Sequence, residues 1–312
     1  MNRINGFLDL DGYFYKIEDK HPENINYLYD EGLVIETDIY NHYWLTIEGE
    51  KYYFKETRHH YQELIAYEIA KLLGYESAEY DLAYFNGIKG VISKNFKKED
   101  CTYVNGAEIL KNYYESDFET VKEMGLREDW KDYFKEPYYS EMKNLEIIWQ
   151  ALEHRYKLDG RVDISVLMEQ IVDLYIYSIL ISHSDRISLN WEIEEGRNSV
   201  KLAPLFDNEN SFFDEVEVYM STSYDDNRSL LHESVRKFLS ISDESFRERF
   251  IQKFDLLTED LMREIFDKVE SKIESQIPEK QKEYIFNNFC SHRNKIEEVV
   301  NEFRKKLLNK LC

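Results

Sequence analysis

The chain has 312 residues, 43% of them hydrophobic and 15% aromatic, including 25 tyrosines, a composition that builds a folded core and excludes disorder. Its net charge of −22 sets an acidic surface against any nucleic-acid backbone and argues against DNA or RNA as a direct partner. No apolar run approaches the roughly 20 residues that span a bilayer, the start MNRINGFLDLDGYF has no signal-peptide core, and Cys101, Cys290 and Cys312 form no CxxC pair, so the expectation is a cytoplasmic protein without a membrane segment or a cysteine zinc site.

The first hundred residues read as strands around one helix. Leu33–Tyr40 and Tyr43–Glu48 are rich in β-branched and aromatic residues, and Glu48-Gly49-Glu50 turns the chain into a return strand, Lys51–Lys55. Tyr61–Leu73 repeats its apolar residues at helical spacing (Leu64, Ile65, Ile69, Leu72, Leu73), and Gly74 closes it. Asn86-Gly87, a strong hairpin signal, joins Asp81–Phe85 to Gly90–Ser93. This order predicts a small antiparallel sheet carrying one helix.

Beyond residue 100 the period becomes helical, over Ala107–Met124, Asn144–Arg155, Ser165–Ser182, Asp243–Phe254, Thr258–Ser275 and Lys280–Leu308. Ile164–Ile181 is apolar on nearly every side, which predicts a buried helix. The fold class expected is α+β and bilobed, a β-rich lobe over residues 1–97 and a larger helical lobe over 98–312, with the boundary near Ser93–Asp100.

The buried helix leads straight into His183-Ser184-Asp185-Arg186-Ile187-Ser188-Leu189-Asn190. Phosphoryl transfer needs a carboxylate to take a proton, and Asp185 sits on the loop for that; an amide five residues later, Asn190, offers a neutral oxygen to Mg²⁺. Trp191–Glu194 and Val200–Ala203 read as a hairpin that folds the chain back, so that Asp207 faces Asn190 across one metal. Lys55, at the end of Tyr52-Tyr53-Phe54-Lys55, can turn its ammonium to the inner face of the sheet and neutralise phosphates, with Glu63 as the carboxylate that orients it and Glu68 as the rival. A third ligand is lacking beside His59-His60, which reads as a loop pair. The lysines 94, 97 and 98 read as a solvated surface, with a place beside a nucleotide at the lobe boundary as the alternative, and Glu108, Glu115 and Glu119 as a solvated helix face.

Taken in order, these residues resemble the HipA-like family of bacterial serine/threonine kinases. The resemblance runs over roughly residues 40–310 and is carried by Tyr53-Phe54-Lys55, by ELIAYEIAKLLG from Glu63 to Gly74, by Gly90-Val91-Ile92-Ser93-Lys94-Asn95-Phe96, by Ser184–Asn190 and by Leu202-Ala203-Pro204-Leu205-Phe206-Asp207. It implies the kinase-like bilobed fold, ATP and Mg²⁺ as cofactors, and a protein Ser/Thr hydroxyl as acceptor. Asp185 would be the catalytic base, Asn190 and Asp207 the Mg²⁺ ligands, Lys55 the phosphate lysine and Glu63 its ion-pair partner, with Lys94, Asn95 and Phe96 meeting the adenine between the lobes. The helix-turn-helix partner bound by toxins of that family is not encoded here, so an antitoxin would be a separate chain. Two departures stand out: Glu36–Tyr43, where a glycine-bearing phosphate loop is expected, has no glycine, and the eight residues from Lys55 to Glu63 are a short separation for their ion pair. Two other readings stay open beside the protein kinase: a phosphotransferase acting on cationic small molecules, and a pseudokinase that keeps the fold as a binding scaffold.

Overall fold

A computed structural model describes residues 3–10, 15–19, 42–116, 145–183, 186, 188–212 and 244–311. The expected strand Leu33–Tyr40, most of the glycine-free stretch and Asp185 lie outside the described residues.

The N-terminal lobe is one seven-stranded sheet built from β1 (Arg3–Ile4), β2 (Phe7–Asp9), β3 (Tyr15–Asp19), β4 (His42–Ile47), β5 (Glu50–Glu56), β6 (Tyr80–Phe85) and β7 (Ile88–Lys94), in the order β1-β2-β6-β7-β5-β4-β3. All pairings are antiparallel except β2 on β6. Three hairpins turn on residue pairs with positive φ at both positions, Asn5-Gly6, Glu48-Gly49 and Asn86-Gly87, the conformation whose twist matches that of the flanking strands. The expected antiparallel core of four strands is present, and three N-terminal strands widen it.

Between β5 and β6 runs α1 (His60–Leu72). It ends because Gly74 takes φ +81°, and the N–H groups of Gly74 and Tyr75 return to the carbonyls of Lys71 and Ala70. Tyr61, Leu64, Ile65, Ala66, Ile69 and Ala70 are all buried, because α1 has the sheet on one side and the helical lobe on the other.

The C-terminal lobe opens with β8 (Thr102–Asn105) and α2 (Gly106–Ser116), then α3 (Leu145–Tyr156), α4 (Ile164–Leu180), the hairpin β9 (Glu192–Glu195) and β10 (Val200–Leu202), and finally α5 (Glu244–Leu256), α6 (Glu259–Ile273) and α7 (Glu279–Leu311). Asp163 caps α4 by accepting the Ser165 N–H at 3.0 Å, and Thr258 caps α6 by accepting that of Leu261 at 3.1 Å. The expected hairpin gains a third strand, since β8 pairs with β9. Helix α4 buries Leu167, Met168, Ile171, Leu174, Ile176, Tyr177 and Leu180, and only Val166 in its first turn is exposed among its large aliphatic residues.

The main core is continuous across both lobes: Leu64 and Ile69 of α1, Leu82 and Val91 of the sheet, Leu174 and Tyr177 of α4 and Phe266 of α6 belong to one cluster. A second cluster lies on the opposite face of the sheet, where Tyr43, Leu45, Ile47, Phe54, Phe85 and Ile92 meet. That division fixes where Lys55 points.

Candidate active site

Lys55 pairs across β5 with His42 on one side and Val91 on the other. Neighbouring Phe54 pairs with Ile92 and belongs to the outer cluster, so alternation turns Lys55 to the face that carries Val91 and α1. The tight strand pairing there depends on Gly90, because a Cβ at that position would lie 2.1 Å from the Lys55 carbonyl oxygen.

The Lys55 ammonium, on a residue only 8% exposed, is bonded to Asp207 Oδ1 and lies 2.8 Å from Glu209 Oε1. Burial disfavours its charge, but the carboxylates of Asp207 and Glu209 outweigh burial and hold its pKa well above the usual value. The same contact works in reverse on Asp207: burial would raise its pKa, and Lys55 brings it below the ordinary carboxylate range. Both groups are therefore charged at neutral pH.

Asp207 is fixed from three directions. Just upstream, Leu205 forms a parallel bridge to Ser77, with Ala78 N–H donating to the Leu205 carbonyl at 2.7 Å and Leu205 N–H donating to Glu76 at 2.9 Å. Asp207 itself has φ +57°, a left-handed conformation uncommon for a residue with a side chain. Its N–H donates to the Tyr80 hydroxyl at 3.2 Å, and His183 Nε2 donates to its carbonyl at 2.9 Å. Burial, reinforced by Arg186, keeps the His183 pKa well below its normal value, so the ring is neutral and Nε2 carries the donated proton.

Arg186 is the pin of the arrangement, a role sequence reasoning did not give it. Buried at 7% exposure, it donates to Ser178 Oγ on α4 at 3.1 Å and to the Asn190 carbonyl at 2.9 Å. It also donates to the Phe206 carbonyl at 2.8 Å and to Asn208 Oδ1 at 2.5 Å. One guanidinium thus ties the buried helix, the loop ending at Asn190 and the segment bearing Asp207. Asn190 closes a single 3₁₀ turn, Ser188–Asn190, and is buried directly before the β9–β10 hairpin. Asp185, one residue before Arg186, lies outside the described residues.

Glu63 sits in the first turn of α1 and is fully buried, yet the expected ion pair with Lys55 does not form. Asp207 and Glu209 reach the ammonium from the other lobe, and Glu63, beside the Tyr80 hydroxyl, makes no hydrogen bond of good geometry. Burial raises its pKa to about 8, Lys55 pulling it down and Asp207 and Glu209 pushing it further up. Glu68, the rival, is bonded instead to Lys268 of α6.

Between the lobes, Lys94 is exposed and pairs with Glu50 at 2.8 Å. Asn95 accepts the Lys97 N–H at 3.1 Å in a local turn, and Phe96 stacks on Phe206 with ring centres 6.0 Å apart. Lys97 and Lys98 are more than a solvated surface, since they neutralise the buried carboxylates of Glu192 and Glu194 at 2.8 and 2.7 Å. His60 opens α1 and packs edge-on against Phe7.

Asp207, Glu209 and Asn190 offer oxygen donors, the hard ligands that suit Mg²⁺. Among the described residues no three His, Cys, Asp or Glu side chains group closely enough to hold a metal alone.

No protein-family model matches the sequence, and no curated protein matches it. Solved structures do resemble it. The Helicobacter pylori proinflammatory kinase CtkA aligns over 94% of this chain and 97% of its own, with a TM-score of 0.62 and 16% identity. HipA of the Shewanella oneidensis MR-1 toxin–antitoxin system, solved with HipB and operator DNA, aligns over 86% of this chain and 67% of its own, at a TM-score of 0.42 and 12% identity. The ADP-bound aminoglycoside phosphotransferase APH(2'')-Ib aligns over 88% and 98%, at 0.23 and 13%. The likeness to CtkA is one of fold: this chain has the bilobed, kinase-like architecture.

Proposed function

We propose that the chain is an ATP- and Mg²⁺-dependent phosphotransferase that moves the γ-phosphoryl group of ATP to a hydroxyl, with serine or threonine of a protein as acceptor. The observation that carries this reading is the meeting of Lys55, from the sheet, with Asp207, from the helical lobe, beside an arginine that ties Asp207's segment to Asn190. A kinase-like fold supports it.

Bound Mg²⁺ supplies charge neutralisation at the transferring phosphoryl group. Asp207 and Asn190 would hold the metal through a carboxylate and a neutral oxygen, and Lys55 would neutralise phosphate oxygens. Lys94, Asn95 and Phe96 meet the adenine. Asp185 accepts the proton of the acceptor hydroxyl as its oxygen bonds to the γ-phosphorus; the bond to the β–γ bridging oxygen breaks, and ADP leaves.

Intact-mass measurement after incubation with Mg²⁺ and ATP tests the reading. The wild type is expected to gain phosphate, and Asp185→Ala and Asp207→Ala to gain none while keeping their fold. Undiminished transfer in either variant refutes the assignment of that residue. No gain in the wild type and no thermal stabilisation by Mg-ATP favours the pseudokinase. A net charge of −22 favours a cationic acceptor as the second reading, so cationic small molecules belong in the acceptor screen.

A further inference from the structure

We infer that Glu209 is a second carboxylate ligand of the divalent cation, so that Asp207-Asn208-Glu209 acts as an acidic clamp with one ligand at each end. This rests on the phosphotransferase reading above.

Asp207 Oδ1 and Glu209 Oε1 converge on one point, the Lys55 ammonium, the latter at 2.8 Å. Two carboxylate oxygens that share an ammonium already have the spacing at which a single cation can be held in common. The second oxygen of Glu209, Oε2, is buried and has no hydrogen-bond partner. Glu63 gives a sign of the same need: it is 0% exposed, neither oxygen makes a hydrogen bond of good geometry, the Tyr80 hydroxyl being its one polar neighbour besides the charged cluster, and it lies within electrostatic reach of Lys55, Asp207 and Glu209. One ammonium is thus set against the carboxylates of Asp207 and Glu209, with the Glu63 carboxyl buried beside them, an excess of acidic groups that is costly unless a cation offsets it. Between the two clamp residues, Asn208 is fully buried and anchored through Oδ1 to Arg186, which holds the backbone between the carboxylates in place. A divalent cation fits that charge and that donor chemistry, while Lys55 is freed to meet phosphate.

The test measures metal binding directly, by the electron paramagnetic resonance of free Mn²⁺ titrated into protein saturated with ADP. Glu209→Gln is expected to weaken Mn²⁺ binding about tenfold or more. Its affinity for ADP in EDTA should be unchanged or tighter, because a negative charge beside the phosphates is gone. Glu209→Asp keeps the charge on a shorter arm and should fall between wild type and Gln. Unchanged Mn²⁺ binding in Glu209→Gln, in a wild type that binds both Mn²⁺ and ADP, overturns this inference alone and leaves Glu209 as a counter-ion of Lys55. A wild type that binds neither overturns the phosphotransferase reading and this inference with it. Melting curves in EDTA show whether Glu209→Gln folds; if it does not, Mn²⁺ binding by Glu209→Asp decides, wild-type affinity counting against the proposal.

Discussion

Lys55 carries the only ammonium in contact with Asp207 and Glu209 among the described residues, and Glu63 lies buried in the same cluster. Glu63 therefore keeps its proton to unusually high pH: burial raises its pKa from 4.5 to about 8, with Lys55 opposing and the other carboxylates reinforcing the rise. The folded protein then holds a proton that the unfolded chain has released. This contribution to stability is complete below the unfolded value of 4.5 and drains away as pH climbs through the folded value of about 8. Metal-free protein should lose stability across that interval. Glu63→Gln, neutral at every pH and nearly the same shape, should flatten the slope and melt higher at pH 8. The difference between the two melting profiles reports Glu63 together with the Lys55, Asp207 and Glu209 groups coupled to it, and parallel profiles would exclude it.

Among the elements, β5 and β7 set the height of Lys55 in the cleft, and Gly90 permits their approach. An alanine there would drive its Cβ into the Lys55 backbone, with no flexible side chain able to yield. Gly90→Ala is expected to cost about 3 kcal/mol and to depress nucleotide binding with it, read from urea unfolding and an ADP titration. Much of this layer was legible in the chain. Alternation in β4, the Asn86-Gly87 turn, the Gly74 stop of α1 and the all-round apolar surface of α4 each have a local physical cause. The hairpin of β1 and β2 turns on Asn5-Gly6, the same signal as Asn86-Gly87, but strands of two and three residues are too short to show a period. Strand β8 is equally brief and finds its partner some ninety residues later in β9, a long-range pairing that no local pattern carries. At the site, Lys55 and Asp207 were legible as types at plausible spacings. Which carboxylates reach Lys55 was not, because that depends on the left-handed turn at Asp207, the bridge between Ser77 and Leu205 and the four bonds of Arg186.

The whole molecule is held by a core that does not stop at the lobe boundary. Helix α1 belongs to the sheet by sequence and to the helical lobe by contact: Tyr177 donates to the Ala66 carbonyl at 2.8 Å, Lys253 to the Leu73 carbonyl at 2.9 Å, and Lys268 binds Glu68. Lys272 adds a bond from α6 to the Tyr80 carbonyl at 3.0 Å. Because burial and hydrogen bonds cross the boundary together, the two lobes should unfold in one cooperative transition. Far- and near-ultraviolet circular dichroism should give coincident midpoints in urea, and separated midpoints would show that the lobes are independent. The anchoring of α1 also bears on inhibitor chemistry. Compounds that act by pushing this helix outward to open a rear pocket would have to break a buried tyrosine bond, a lysine bond and an ion pair before gaining any contact of their own. Useful chemical matter for this protein would instead be shaped to the cleft as it stands, with an anionic group for Lys55 or a cationic group for the carboxylates that face it.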